Sequence, residues 1–307
     1  MNKSIYILLL LLWPVMQSCI YDDLSDCFRE RYIWFKSINT KYIYEDIAQQ
    51  VNLYIYDEQQ QFINELICTH DDLIRTGGKV YIPAQYEGKY WIVALVNLSD
   101  NYIVYDTEEF AHWKASLQTA NGNEVSSKLP DLYHSMKAIS FGQDNPLPGD
   151  TMYLSKNINH IYLTIECSAS DVLENIQPYI YGSNSLFNYE NRLLGDRMIT
   201  YHPHNTQKYT NRMQYSITTM LLRIMGDISL YFKEQESDGS ISDRKIFNIT
   251  EELAKVKDSN GRKLYDSDIK LSLEDEFKFV IVLDKSSQII DLKINDWYVV
   301  KDYVEIK

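Results

Sequence analysis

Residues 50–66 read QVNLYIYDEQQQFINEL, and their pattern decides the fold. Val51, Leu53 and Ile55 alternate with Asn52, Tyr54 and Tyr56, the period of two of a half-buried strand. Asp57-Glu58-Gln59-Gln60-Gln61 turns the chain, and Phe62-Ile63 begins the return strand, so the segment predicts a hairpin. Working outward, residues 31–37 (RYIWFKS) form an aromatic-rich strand. Residues 88–98 (GKYWIVALVNL) are nearly all apolar, as expected of a central strand covered on both faces. Gly77-Gly78 marks a turn, and residues 80–82 a short strand closed by Pro83. Short strands are expected at 138–141 and 151–154, separated by Pro146, Pro148 and Gly149. A second unit opens with the alternating run 158–167 (INHIYLTIEC), followed by strands at 178–181, 220–232, 277–283 and 289–297. Asp284-Lys285-Ser286-Ser287 supplies the last hairpin turn.

Helical signals are few. Phe110, Trp113, Ala115 and Leu117 have a loosely helical spacing that predicts a helix over 107–119. Asn248 or Thr250 caps a second, with Glu251 and Glu252 in its first turn. Short strands at regular spacing with few helices predict an all-β chain of β-sandwiches. The 307 residues suffice for two ordinary domains. The 25 tyrosines and only 11 glycines agree with strands.

The N-terminus has a separate role. Lys3 precedes an apolar run at 5–12, too short to span a bilayer, which needs about 20 residues. Val15-Met16-Gln17-Ser18-Cys19 then ends it, and Tyr21-Asp22-Asp23 is polar at once. This is the three-part layout of a secretory signal over residues 1–18. Cleavage there removes Lys3, leaving 29 basic residues against 43 acidic ones, a balance of −14. Such a charge argues against nucleic acid, whose binding rests on phosphate neutralisation, and against a polybasic membrane patch. It suits a solvated surface protein.

No catalytic constellation is present: there is no G-x-S-x-G, H-E-x-x-H, Walker loop or G-x-G-x-x-G. His202-Pro203-His204 is the one histidine cluster, without a cysteine or carboxylate at ligand spacing, so no metal site is expected. Asp266, Asp268, Glu274, Asp275 and Glu276 lack the spacing and central glycine of a calcium loop and read as solvated acids. Aromatic residues on strands admit a sugar platform, though cross-strand packing accounts for most such rings. No cofactor and no enzymatic activity are expected.

The cysteines are Cys19, Cys27, Cys68 and Cys167. With Cys19 set aside, three thiols allow at most one bridge within a monomer. Cys27 with Cys68 is the favoured pair, since both flank the first strands of one domain. The bridge would close a loop of about 40 residues, worth roughly 3–4 kcal/mol by chain entropy.

Three stretches carry a family resemblance. A cysteine directly after the small Ser18 resembles a bacterial lipobox, and it opens the leader Cys19-Ile20-Tyr21-Asp22-Asp23-Leu24-Ser25-Asp26-Cys27. Val51-Asn52-Leu53-Tyr54-Ile55-Tyr56-Asp57 follows, then Gly88-Lys89-Tyr90 through Val93 to Asn97. In this order they resemble the FimB-type fimbrial anchor lipoproteins of anaerobic Gram-negative bacteria, relatives of the fimbrillins of type V pili. Ile294-Asn295-Asp296-Trp297 is similar to the end of the same proteins, whereas Leu95 departs from the aromatic many of them carry. The resemblance implies two tandem transthyretin-like β-sandwich domains, at 29–156 and 157–307, behind a lipidated acidic leader at 19–28. It implies a lipid on Cys19, attachment to the outer membrane, and fimbrillin-type pilus subunits as partners held by strand exchange at the base of a fimbria. Asp22, Asp23 and Asp26 resemble a surface-export signal and read equally well as a charged stem. The alternative function is a surface glycan-binding lipoprotein of a polysaccharide-uptake system.

Overall fold

The computed structural model describes residues 31–37, 48–83, 88–119, 122–141, 149–195, 197–224, 226–235 and 238–298. Cys19, Cys27, Asp22, Asp23 and Asp26 lie outside them. The first half begins with β1 (Arg31–Ser37), β2 (Gln50–Tyr56), β3 (Phe62–Thr69) and helix α1 (His70–Thr76). There follow β4 (Lys79–Ile82), β5 (Gly88–Val96), β6 (Tyr102–Tyr105), β7 (Lys114–Leu117), β8 (Glu124–Val125), β9 (Tyr133–Phe141) and β10 (Gly149–Lys156). The second half opens with β11 (Ile158–Cys167), α2 (Ser170–Glu174), β12 (Ile176–Gly182), β13 (Leu186–Asn188), β14 (Ile199–Tyr201), β15 (Asn205–Lys208) and β16 (Arg212–Met220). It ends with β17 (Ile228–Gln235), β18 (Ile241–Asn248), α3 (Ile249–Leu253), α4 (Asp268–Leu271), β19 (Glu276–Leu283), β20 (Ile289–Ile294) and β21 (Trp297–Tyr298).

The fold is all-β, built of two sandwiches. The first is a seven-stranded sheet in the order β3-β2-β5-β9-β10-β1-β4. It turns a corner between β9 and β10, where only Ser155 and Lys156 pair with His134 and Tyr133. The two wings close on one core: Val51, Leu53, Ile55, Ile92 and Ala94 meet Ile33, Phe35, Val80, Met152 and Leu154. Apolar side chains at every second residue put one face of each strand inside. The second sandwich sets the sheet β15-β16-β11-β19-β20-β21 against the sheet β18-β17-β12-β14-β8. Ile161, Leu163 and Ile165 of β11 and Phe277, Phe279 and Ile281 of β19 share one buried cluster with Ile180, Leu230 and Phe232 from the facing sheet.

The hairpin β2–β3 forms as the alternation predicts, with a bulge at Ile55/Tyr56. The half-buried reading of β2 does not hold, because Val51 to Tyr56 are buried throughout. Tyr54 and Tyr56 have lost their solvent to a third layer, the small sheet β13-β7-β6. A helix over 107–119 does not form. The chain makes a single 3-10 turn at Phe110–His112 and then runs as β7. Trp113, Ala115 and Leu117 repeat every second residue, and that period prevailed over the helical spacing from Phe110. The expected strand at 220–232 divides: β16 stops at Met220 and β17 starts at Ile228, with Gly226 in the turn between. Helix α3 starts as expected, the Asn248 side chain accepting hydrogen bonds from the N–H groups of Thr250 and Glu251.

Candidate functional site

Two strands cross between the halves, and around them lie buried aromatic rings and a set of buried polar groups. β8 leaves the first half and pairs in parallel with β14 of the second, Thr200 opposite Glu124 and Tyr201 opposite Val125. β13 leaves the second half and pairs with β7, Phe187 opposite Ala115. The exchange is reciprocal, so each half finishes a sheet of the other. Short crossing strands such as these carry few hydrogen bonds, and their hold comes from what they bury. Phe187 and Trp113 are fully buried, with ring centroids 6.3 Å apart. His134 of β9 lies 6.0 Å from Trp113 and stands edge-on to Phe187 at 5.8 Å. Burial and the nearby Arg223 charge push the His134 imidazole down to about 3, against a weaker upward pull from a backbone hydrogen bond at Tyr189. It is therefore neutral wherever the protein is folded near neutral pH.

Polar groups fasten the connection between β10 and β11. Asn157 donates from Nδ2 to Asn191 Oδ1, and Asn191 donates back from Nδ2 to Asn157 Oδ1, both at 2.8 Å and both buried. The Asn157 N–H donates to Leu132 O at 2.7 Å. One residue earlier, Lys156 Nζ lies 2.6 Å from Asp275 and 3.2 Å from Asp131, and His160 Nε2 is 3.3 Å from Asp131. Burial alone would raise the Asp131 carboxyl, but its bonds to His160 and Lys156 outweigh that and hold it below the ordinary carboxylate range. Burial alone would lower Lys156. The hydrogen bond to Asp275 and the two carboxylate charges reverse this, and its pKa is raised. A buried amide left without its partner costs about 1–3 kcal/mol. Asn157→Ala should therefore lower the unfolding free energy by that amount, and adding Asn191→Ala should cost much less than the sum. A denaturant titration in which the two losses simply add would refute the reciprocal pair.

Of the residues singled out from the sequence, Asp275 joins this cluster through Lys156 and His202 lies beside the crossing strand β8; the others do not gather here. Cys68 is half-buried on β3, its thiol pushed up by burial and by Asp72. Cys167 is buried at the end of β11, its thiol donating to Asp284 O at 3.4 Å. His202 lies 3.9 Å from Glu124. Asp266 pairs with Lys270 at 2.8 Å, Asp268 accepts from the Ile224 N–H, and Asp275 is taken by Lys156. The crossing strands are three and two residues long, and nothing in so short a run says which sheet it joins. Trp113 and Phe187 were readable as apolar, but their meeting is a tertiary fact.

The sequence model of the family described as fimbrillin-A associated anchor proteins Mfa1 and Mfa2 matches residues 24–303. The chain belongs to that family. No curated protein matches it. Its fold is that of several solved structures. A Bacteroides thetaiotaomicron protein described as a candidate polysaccharide-binding protein superposes with a TM-score of 0.75 at 15% identity, over 90% of this chain and 99% of that one. A candidate adhesin from the same species gives 0.70 at 19% identity, over 88% and 96%. The fimbrial anchor protein Mfa2 from Porphyromonas gingivalis gives 0.68 at 16% identity, over 88% and 98%. The family match starts at Leu24 and runs through both sandwiches to residue 303. Both halves, and the strands that cross between them, are thus part of the family's unit.

Proposed function

We propose that the chain is a non-enzymatic anchor subunit at the base of a surface fimbria. The observation that carries this reading is membership of the fimbrial anchor family over residues 24–303. In this reading residues 1–18 are the signal peptide and Cys19 bears the lipid that holds the protein on the outer membrane. Residues 19–28 form the stem, with 29–156 and 157–307 as the two sandwiches. The partners are fimbrillin-type subunits, held by β-strand complementation, and the anchor also limits fimbrial length. A free sheet edge supports strand addition. Among the described residues β3 pairs with β2 alone, and it exposes Ile63 and Ile67, at 37% and 56%. Unpaired N–H and C=O groups beside apolar side chains are what an added strand requires.

Deleting the protein should shed fimbriae into the medium while subunit synthesis continues. Cys19→Ala should leave the protein exported but free of the membrane, because two or more acyl chains are needed for durable attachment. A Cys19→Ala protein that still sediments with membranes after a high-salt wash would sink the lipid anchor. Unchanged cell-bound fimbriae in the deletion strain, with lost growth on one polysaccharide, would transfer the function to glycan uptake. The Cys27–Cys68 bridge is proposed on the same footing, and non-reducing peptide mapping should recover the two joined. Recovery of both as free thiols refutes it.

A further inference from the structure

The outer face of the sheet β18-β17-β12-β14-β8 carries aromatic rings where a solvent-facing strand ordinarily carries charge. On β12, Pro178 and Ile180 point into the core, which leaves Tyr179 and Tyr181 outside. On β17, Leu230 and Phe232 point in and Tyr231 points out, directly opposite Tyr179. The Tyr179 and Tyr231 rings stack with centroids 5.3 Å apart and planes 12° apart, and Tyr181 meets Tyr231 edge-on at 6.1 Å. The His202 ring lies 6.2 Å from Tyr179. Burial, then the hydrogen bond to Asp243 and its charge, push the Tyr179 hydroxyl up to about 12, so this ring is tied down through its oxygen.

Two depressions adjoin here. The one of about 270 Å³ lies on the face itself; the other, of about 350 Å³, opens beside it at the sheet edge, between the two sheets, where Pro178, Thr206, Met213 and Tyr215 wall it, and Tyr179, His202 and Lys233 line both. Glu124, Thr200 and Asp243 complete the rim of the smaller. A cross-strand tyrosine pair alone would be ordinary sheet packing. Packing accounts for the third ring as well, but not for the two hollows beside the stack or for the rim of acceptors and donors around them. Apolar walls with a few convergent polar groups are the make-up of a small-ligand site.

The chemistry of the face selects the ligand. A pyranose ring offers an apolar C–H face to an aromatic ring and a rim of hydroxyls that both donate and accept. Tyr179, Tyr181 and Tyr231 meet the first need. Asp243 and Glu124 accept from hydroxyls, while Lys233 and Thr200 donate. Three carboxylates, Glu124, Glu174 and Asp243, line the two depressions against the one lysine, Lys233, and repel a phosphate backbone or a sulfated chain. A stable protein partner needs about 800 Å² on each side, far more than two small hollows offer. We propose that this face binds a short neutral oligosaccharide, laid across both depressions on Tyr179, Tyr181 and Tyr231 and hydrogen-bonded by Asp243, Glu124 and Lys233. This ligand is additional to the anchor role and does not depend on it.

The test is a glycan array of neutral plant, fungal and mammalian oligosaccharides probed with the full mature chain, with heparin as the anionic comparison. The strongest neutral binder is then titrated by calorimetry. Tyr231→Ala and Asp243→Asn should each weaken binding by about tenfold or more, whereas Tyr231→Phe retains it. Tyr153→Ala, which removes an exposed ring on β10, should leave binding unchanged. Circular dichroism of each variant checks that the fold is kept, and Asp243→Asn supplies a second route should Tyr231→Ala fail to fold. Absence of any neutral binder, a preference for heparin, or undiminished binding by folded Tyr231→Ala or Asp243→Asn would each overturn the proposal. Fimbrial attachment should be untouched in Tyr231→Ala cells, which separates this site from the anchor function.

Discussion

Trp113→Ala is expected to cost about 3–5 kcal/mol of unfolding free energy, the range for deleting a large aromatic from a core. Trp113 is fully buried between the first sandwich and the small sheet β13-β7-β6, with Tyr54 edge-on at 5.8 Å and Phe187 on its other side. The cavity it leaves has walls from both halves of the chain. Those walls are strands held in hydrogen-bonded register, so they cannot close over the void, and the cost stays near the upper part of the range. Trp113→Phe should cost less than the lost area suggests. The indole Nε1–H has no hydrogen-bond partner among the described residues, and phenylalanine removes that donor along with some of the ring. Chemical denaturation of the two variants decides the matter. A loss below about 1 kcal/mol for Trp113→Ala would mean that the junction adds little to stability.

The second large effect is on acid. His134 titrates near 6.5 when unfolded and near 3 when folded, so the unfolded chain binds the extra proton first. A base whose folded pKa is depressed favours folding above its unfolded pKa. That advantage is lost as pH falls from about 6.5 toward 3. The slope from this one group is about 1.4 kcal/mol per pH unit, or about 2 kcal/mol of lost stability at pH 5. His204, lowered by its own burial, acts in the same window. The carboxyl of Asp131 adds its loss only at the acid end of this window and below, as pH falls from about 3.8, because its folded pKa is lowered from that value. His134→Gln, which cannot take up the proton, isolates the term. Its unfolding free energy should be flatter between pH 7 and pH 4 than that of the parent chain. Equal slopes for the two proteins would show that the imidazole is not held neutral by its surroundings.

The alternation of apolar residues made the strands of both sandwich cores legible. Ile161, Leu163, Ile165 and Cys167 read as one inward face and are one. The last hairpin was equally plain, since Asp284 accepts from Ser287 N–H across the turn that its sequence advertises. What stayed hidden depends on partners remote in sequence. β15, with four exposed polar residues, is a strand only because β16 is beside it. The second face of β2 looked wet because Tyr54 and Tyr56 carry hydroxyls, yet the Tyr56 hydroxyl is spent on Thr107 O at 2.8 Å. Helix α1 did carry a local signal. Thr69 and Asp72 cap each other reciprocally and Gly77 ends it at φ +63°, a threonine three residues before an acid with a glycine beyond. The aromatic platform showed in the sequence only as scattered tyrosines, since the Tyr179–Tyr231 pair is made by strand register across a separation of 52 residues.

The crossing of β8 and β13 also sets an order of events. A chain that emerges N-terminus first presents residue 117 long before residue 186, so β7 waits without one neighbour until the second half has arrived. Likewise β14 closes against β8, a strand synthesised some 75 residues earlier. Each half takes a strand from the other, and both crossing pairings join residues far apart in sequence. Contacts of that kind slow folding. The small sheet β13-β7-β6 therefore lacks a strand until Asn188 has been delivered, after every residue of the first sandwich's own core, Ile33 to Leu154, is already present.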